Sequence, residues 1–150
     1  MVLGQEHPDT LISIGNLAGT YSNQGRWKEA EDLKVLVMET RKRVLGHEHP
    51  DTLTSMANLA LTYWNQGRWK EAEDLEVLVM ETSSRVLGHD HPSTLTSMEN
   101  LAVTWKQFGR RQEALGLLEE CVTLQGQILG IGHPNTISCS IGLLEWRAET

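Results

Sequence analysis

The sequence His-Pro-Asp-Thr-Leu occurs at residues 7–11 and again at 49–53, and two close variants begin at His91 and His133. Each copy starts 42 residues after the one before it, and no gap is needed to align them. Residues 7–48 and 49–90 differ at only nine positions. A fixed period of this length means that one small supersecondary unit is copied and stacked, because a single unit cannot bury its apolar face and a row of neighbours can. The expectation is one array over residues 1–150, made of repeats 7–48, 49–90 and 91–132 and a half repeat 133–150. No linker or low-complexity stretch interrupts it.

Each unit reads as two helices. Pro8, Pro50, Pro92 and Pro134 suit the first helical position, where no N–H is required. Asp9 and Asp51 follow in the first turn, where a carboxylate favours the helix dipole. Leu11, Ile14, Leu17, Ala18 and Tyr21 then recur on one helical face. Asn23-Gln24-Gly25 closes the helix, with Gly25 supplying a left-handed residue. In the second helix Ala30, Leu33, Val37 and Val44 mark a packing face that Val35, Leu36 and Met38 widen. Arg41, Lys42 and Arg43 occupy its last turns, and Gly46 stops it. The spacing predicts first helices over 8–22, 50–64, 92–106 and 134–147, and second helices over 26–44, 68–86 and 110–128. The fold class is all-α.

Bulk properties narrow the function. A net charge of −7 repels a phosphate backbone or an anionic bilayer, so neither nucleic acid nor membrane is expected as a partner. No apolar run approaches the roughly 20 residues of a membrane helix, and the opening residues do not form a signal peptide. Two cysteines, Cys121 and Cys139, do not make a disulfide framework, which points to a reducing, cytoplasmic setting. The paired imidazoles and carboxylates of His47-Glu48-His49 and His89-Asp90-His91 are of metal-binding type. They sit at successive joints one repeat apart, however, and histidine there is better read as starting the next helix. No nucleophile elbow, phosphate loop or zinc-protease motif occurs, so neither an enzyme nor a bound cofactor or metal is expected.

Asn58-Leu59-Ala60, Tyr63, Gly67-Arg68-Trp69 and Ala72 resemble the tetratricopeptide (TPR) pattern. The 42-residue length and the Val-Leu-Gly-His-x-His-Pro-x-Thr-Leu joint resemble the kinesin-light-chain type of that family. The nearly identical units resemble the arrays at the C-terminal ends of fungal NLR-like (STAND, NB-ARC or NACHT) proteins, where the resemblance implies a ligand-sensing role within a larger protein. It also implies a right-handed helix-turn-helix solenoid that binds a protein or peptide on the concave face of its first helices. The third unit departs from the pattern at Arg111 and at Leu115-Gly116, and the last helix at Trp146 and Arg147.

The differences between the first two units carry the functional signal. Ile12/Thr54, Gly15/Ala57, Gly19/Leu61 and Ser22/Trp64 form one stripe on the first helix, distinct from the packing stripe, whereas Lys28, Glu29, Glu31 and Asp32 do not vary. The resemblance sets this stripe on the ligand-facing groove, with Thr96 and Lys106 in the third unit. Asn16, Asn58 and Asn100 repeat on the same side, and the resemblance implies that they hydrogen-bond an extended peptide. Asn23 and Asn65 are read more simply as turn residues, with Asn65 kept as a candidate contact. Trp27 and Trp69 read as core, and Trp64 as an exposed anchor.

A second reading is a structural module that stacks through open ends. Val2-Leu3-Gly4 repeats Val44-Leu45-Gly46, the tail of a second helix, and the sequence closes on a first helix. The array reads as three and a half units of a longer one, with apolar residues Ile137, Ile141, Leu143, Leu144 and Trp146 exposed for a homo-oligomer.

Overall fold

A computed structural model describes Gly4 and residues 6–149. Its helices run α1 (Pro8–Asn23), α2 (Trp27–Leu45), α3 (Pro50–Asn65), α4 (Trp69–Val86), α5 (Pro92–Gln107), α6 (Arg111–Leu129) and α7 (Pro134–Ala148). No strand occurs among the described residues. Every boundary falls within one or two residues of the periodicity. Val2 and Leu3, read as the tail of a preceding helix, lie outside the described residues.

The repeated joint explains why the helices start so regularly. His7, His49, His91 and His133 are N-cap residues with extended backbone, and each imidazole Nδ1 accepts from the backbone N–H two residues on, at 3.0–3.1 Å. Proline follows at the position that needs no N–H. The threonine of the motif ties the joint to the preceding helix: the Thr52 hydroxyl donates to Gly46 O and that of Thr94 to Gly88 O, both at 2.8 Å. Histidine at the joint therefore serves the helix start, as its position suggested.

The turn inside each unit needs glycine. Gly25, Gly67 and Gly109 have φ of 75°, 76° and 77°, which a side chain disfavours. The next N–H closes the helix end, from Arg26 to Tyr21 O at 2.8 Å and from Arg68 to Tyr63 O at 2.9 Å. The same arginines lay their guanidinium groups over those rings at 4.3 Å.

By backbone contacts the chain divides into two compact units, residues 1–75 and 76–150, with the boundary inside α4. In the first, α2 packs against both α1 and α3. Leu11, Ala18, Ala30, Val37, Leu53 and Leu59 fill its core. In the second, α6 packs against α5 and α7, and Ala102, Leu115, Leu118 and Leu143 form one buried cluster. Leu95, Met98 and Cys121 form another.

Three residues assigned to packing faces are exposed. Leu17 is 44% exposed, whereas its repeat equivalents Leu59 and Leu101 are 1% and 0% exposed. α3 packs on the helix that precedes it, α2, whereas no helix precedes α1 among the described residues. Val44 and Leu36 are also exposed. At the other end, Leu143 and Trp146 were expected on an open surface, but Leu143 is buried and Trp146 packs against its cluster. The exposed apolar stripe of α7 is Ile137, Ile141 and Leu144.

Candidate peptide-binding surface

Four of the candidate residues converge in the first unit. Ile12 and Asn16 from α1 and Thr54 and Asn58 from α3 line one open pocket of about 260 Å³, whose base is α2. The four project together because residues four apart share a helix face and because α1 and α3 are copies in register. Ile12 is 52% exposed, and Asn16, Thr54 and Asn58 are exposed as well. Thr54 donates its hydroxyl back to Pro50 O at 3.1 Å, within its own helix.

The pocket base holds two cations that the sequence reading did not assign to it. Lys34 and Arg41 stand two turns apart on α2 and both line the pocket. Lys34 Nζ donates to the Thr62 hydroxyl at 2.7 Å and to Asn58 O at 3.5 Å. Arg41 donates to the Ser55 hydroxyl at 2.7 Å and to Asp51 O at 3.4 Å. Burial pulls the Lys34 ammonium below its ordinary pKa. Neither side chain reaches a carboxylate among the described residues of this unit. Both are among the nine positions that differ between the first two units, where Glu76 and Ser83 replace them. That difference between the repeats is the signal in the sequence, and it lies on the second helix, outside the first-helix stripe.

The corresponding surface of the second unit is chemically different. A pocket of about 380 Å³ between α5, α6 and α7 is lined by Thr96, Glu99, Val103, Leu118 and Gln125, with Trp146 at one side. Leu118 and Gln125 stand where Lys34 and Arg41 stand in the first unit, so the paired cations are gone. Asn100 is exposed on α5. Lys106 is engaged within the chain: its Nζ pairs with Glu149 at 2.8 Å and lies 4.7 Å from the centre of the Trp146 ring.

The remaining candidates lie off the first pocket. Leu61 is 55% exposed on α3. Asn65 is exposed as the last residue of α3, next to the turn that Gly67 makes. Ser22 and Trp64 are half-buried, and their Oγ and Nε1 atoms are shut off from water without a hydrogen-bond partner. Trp64 is therefore not the freely exposed anchor the sequence suggested. The paired histidines of the joints gather no third ligand: among the described residues the sole metal-type group of three or more is Glu99, Cys121 and Cys139. No described helix is long and apolar enough to cross a membrane.

Comparison with known proteins gives a consistent result. Tetratricopeptide repeat family models match residues 9–76 and 94–135. Among solved structures, the nearly identical TPR-like repeats of Podosopora anserina, described as kinesin-light-chain repeats, superpose with a TM-score of 0.82 at 34% identity, covering 97% of this chain and 69% of theirs. A single-substitution variant of them gives 0.83 at 34% identity, covering 97% and 68%. BtubC (BKLC) from P. vanneervenii gives 0.78 at 18% identity over 95% of this chain and 58% of its own, a likeness of fold. No curated protein sequence matches.

Proposed function

Because this chain belongs to the tetratricopeptide repeat family, we propose that it is a non-catalytic module that binds an extended peptide segment of another protein across α1 and α3. The observation that carries this reading is the shared pocket of Ile12, Asn16, Thr54 and Asn58 over Lys34 and Arg41. The two carboxamides offer donors and acceptors to a peptide backbone whatever its sequence. Lys34 and Arg41 add a preference for an acidic side chain, because an anion seated over them regains Coulomb energy that the half-buried Lys34 lacks. Net charge and local charge thus point in opposite directions: the whole chain is acidic, and the pocket is basic. The resemblance to fungal NLR-like arrays supports a place as the ligand-sensing part of a larger cytoplasmic protein.

The test is a selection of random linear peptides on the immobilised chain. Enriched peptides should carry Asp or Glu, and Asn58→Ala should weaken them about fivefold, the worth of one neutral hydrogen bond of about 1 kcal/mol. Enrichment of peptides that Asn58→Ala and Lys34→Glu bind unchanged would overturn the assignment.

A second reading has its own observation. Ile137, Ile141 and Leu144 are 45%, 51% and 62% exposed and follow one another at helical spacing on α7. That stripe supports self-association through α7, alongside peptide binding and not in place of it.

A further inference from the structure

The second unit carries a cluster that peptide binding does not use. Glu99 of α5, Cys121 of α6 and Cys139 of α7 bring a carboxylate oxygen and two sulfurs within 4.8 Å of one another. Cys121 is fully buried, and both thiols are free. Gln125, one turn beyond Cys121, donates from Nε2 to Glu99 Oε1 at 2.6 Å. Gln125 is itself 4% exposed, and its amide oxygen is buried with no partner. Glu99, Gln125 and Cys139 all face the 380 Å³ pocket.

The repeats show that this grouping is not a by-product of copying. Glu99 replaces Gly15 and Ala57, and Cys121 replaces Val37 and Val79. Gln125 replaces Arg41 and Ser83, while Cys139 replaces Ser13, Ser55 and Ser97. Four positions on three helices thus change together, and the four changes meet at one point. A carboxylate with no cationic partner among the described residues, against two thiols and an unpartnered buried amide oxygen, is a poor core and a good ligand set.

We propose that Glu99, Cys121 and Cys139 bind one soft divalent cation, zinc in kind, which ties α5, α6 and α7 together. Two thiolates and a carboxylate suit zinc and exclude magnesium and calcium. A tetrahedral ion with Zn–S of about 2.3 Å and Zn–O of about 2.0–2.2 Å needs donors roughly 3.5–3.8 Å apart, so donors that now lie within 4.8 Å of one another close in by about 1.3 Å at most. The fourth position goes to water, for which the Gln125 amide oxygen is the waiting acceptor, while its amide nitrogen orients Glu99. Binding converts two thiols to thiolates and releases two protons, one from each cysteine. Without a cation, the neighbouring Cys139, burial and Glu99 all hold the Cys121 thiol protonated, well above its ordinary pKa; a divalent charge reverses that balance.

Titration of the reduced full chain with Cd2+ tests the site through its ultraviolet thiolate-to-metal charge-transfer band. One equivalent should saturate the band, and Zn2+ should displace it. The control variants each install a residue that the fold already holds at that position in another repeat. Cys139→Ser and Cys121→Val should abolish the band, and Glu99→Ala should weaken affinity by about tenfold or more. Circular dichroism establishes that each variant is folded. A folded, reduced chain with no saturable band would overturn the proposal, as would a Glu99→Ala variant that binds as tightly as the parent. So would a chain whose cysteines merely form a Cys121–Cys139 disulfide in air and take up no metal when reduced.

Discussion

Leu17 and Leu59 are the same residue at the same repeat position in nearly identical helices, yet one is 44% exposed and the other 1%. Replacing each in turn with alanine isolates what stacking contributes. The change removes three carbons, about 2.4 kcal/mol of transfer free energy at about 0.8 kcal/mol per carbon. At Leu59 the surrounding helices leave a cavity, which raises the cost to about 3–4 kcal/mol. At Leu17 only about half of the side chain is covered and the open side leaves no enclosed void, so the same scale gives roughly 1.3 kcal/mol. Urea unfolding followed by helical circular dichroism reads both, with the midpoint shift compared at constant slope. Leu59→Ala should lower the midpoint two- to threefold more than Leu17→Ala. Equal shifts would refute the reasoning, because they would mean that the neighbouring helix adds nothing to the burial of that leucine.

The joint gives a second prediction: His49→Ala should cost about 1 kcal/mol through loss of the imidazole cap, and His49→Asn should restore most of it, since a carboxamide accepts the same N–H. For self-association, Ile141→Lys with Leu144→Lys should reduce any concentration-dependent mass in light scattering without lowering thermal stability, since both side chains are exposed; a mass that is unchanged would remove α7 from the account. Trp146→Lys would be a poor substitute, because Trp146 packs on the buried cluster and would report on folding.

The fold was legible because the repeat wrote it several times. Proline at the first helical position and glycine at each turn have local physical causes, so their positions fixed every helix to within two residues. Burial was less legible, because it depends on neighbours: Leu17 and Leu59 are indistinguishable in sequence and differ in exposure. Trp64 misled for a related reason, since a large ring on a variable stripe looks exposed until its surroundings fold over its nitrogen. The pocket was half legible. Its first-helix side followed from the stripe, but Lys34 and Arg41 come from a different helix and become its base only when α2 packs between α1 and α3. The meeting of Glu99 with Cys121 and Cys139 was not legible for the same reason, as Glu99 lies 22 residues before Cys121 and joins the two cysteines only across three helices.

The central claim is that ligand binds over α1 and α3, and the direct measurement is nuclear magnetic resonance of the labelled chain during titration with an acidic linear peptide taken from the selection. The account predicts that the side-chain amide signals of Asn16 and Asn58 and the guanidinium signal of Arg41 shift together and saturate with one affinity, and that Lys34→Glu abolishes the response. Shifts confined to the Ile137, Ile141 and Leu144 stripe, or to the outer face of α2 at Lys28 and Asp32, with Asn16, Asn58 and Arg41 unmoved, would contradict it.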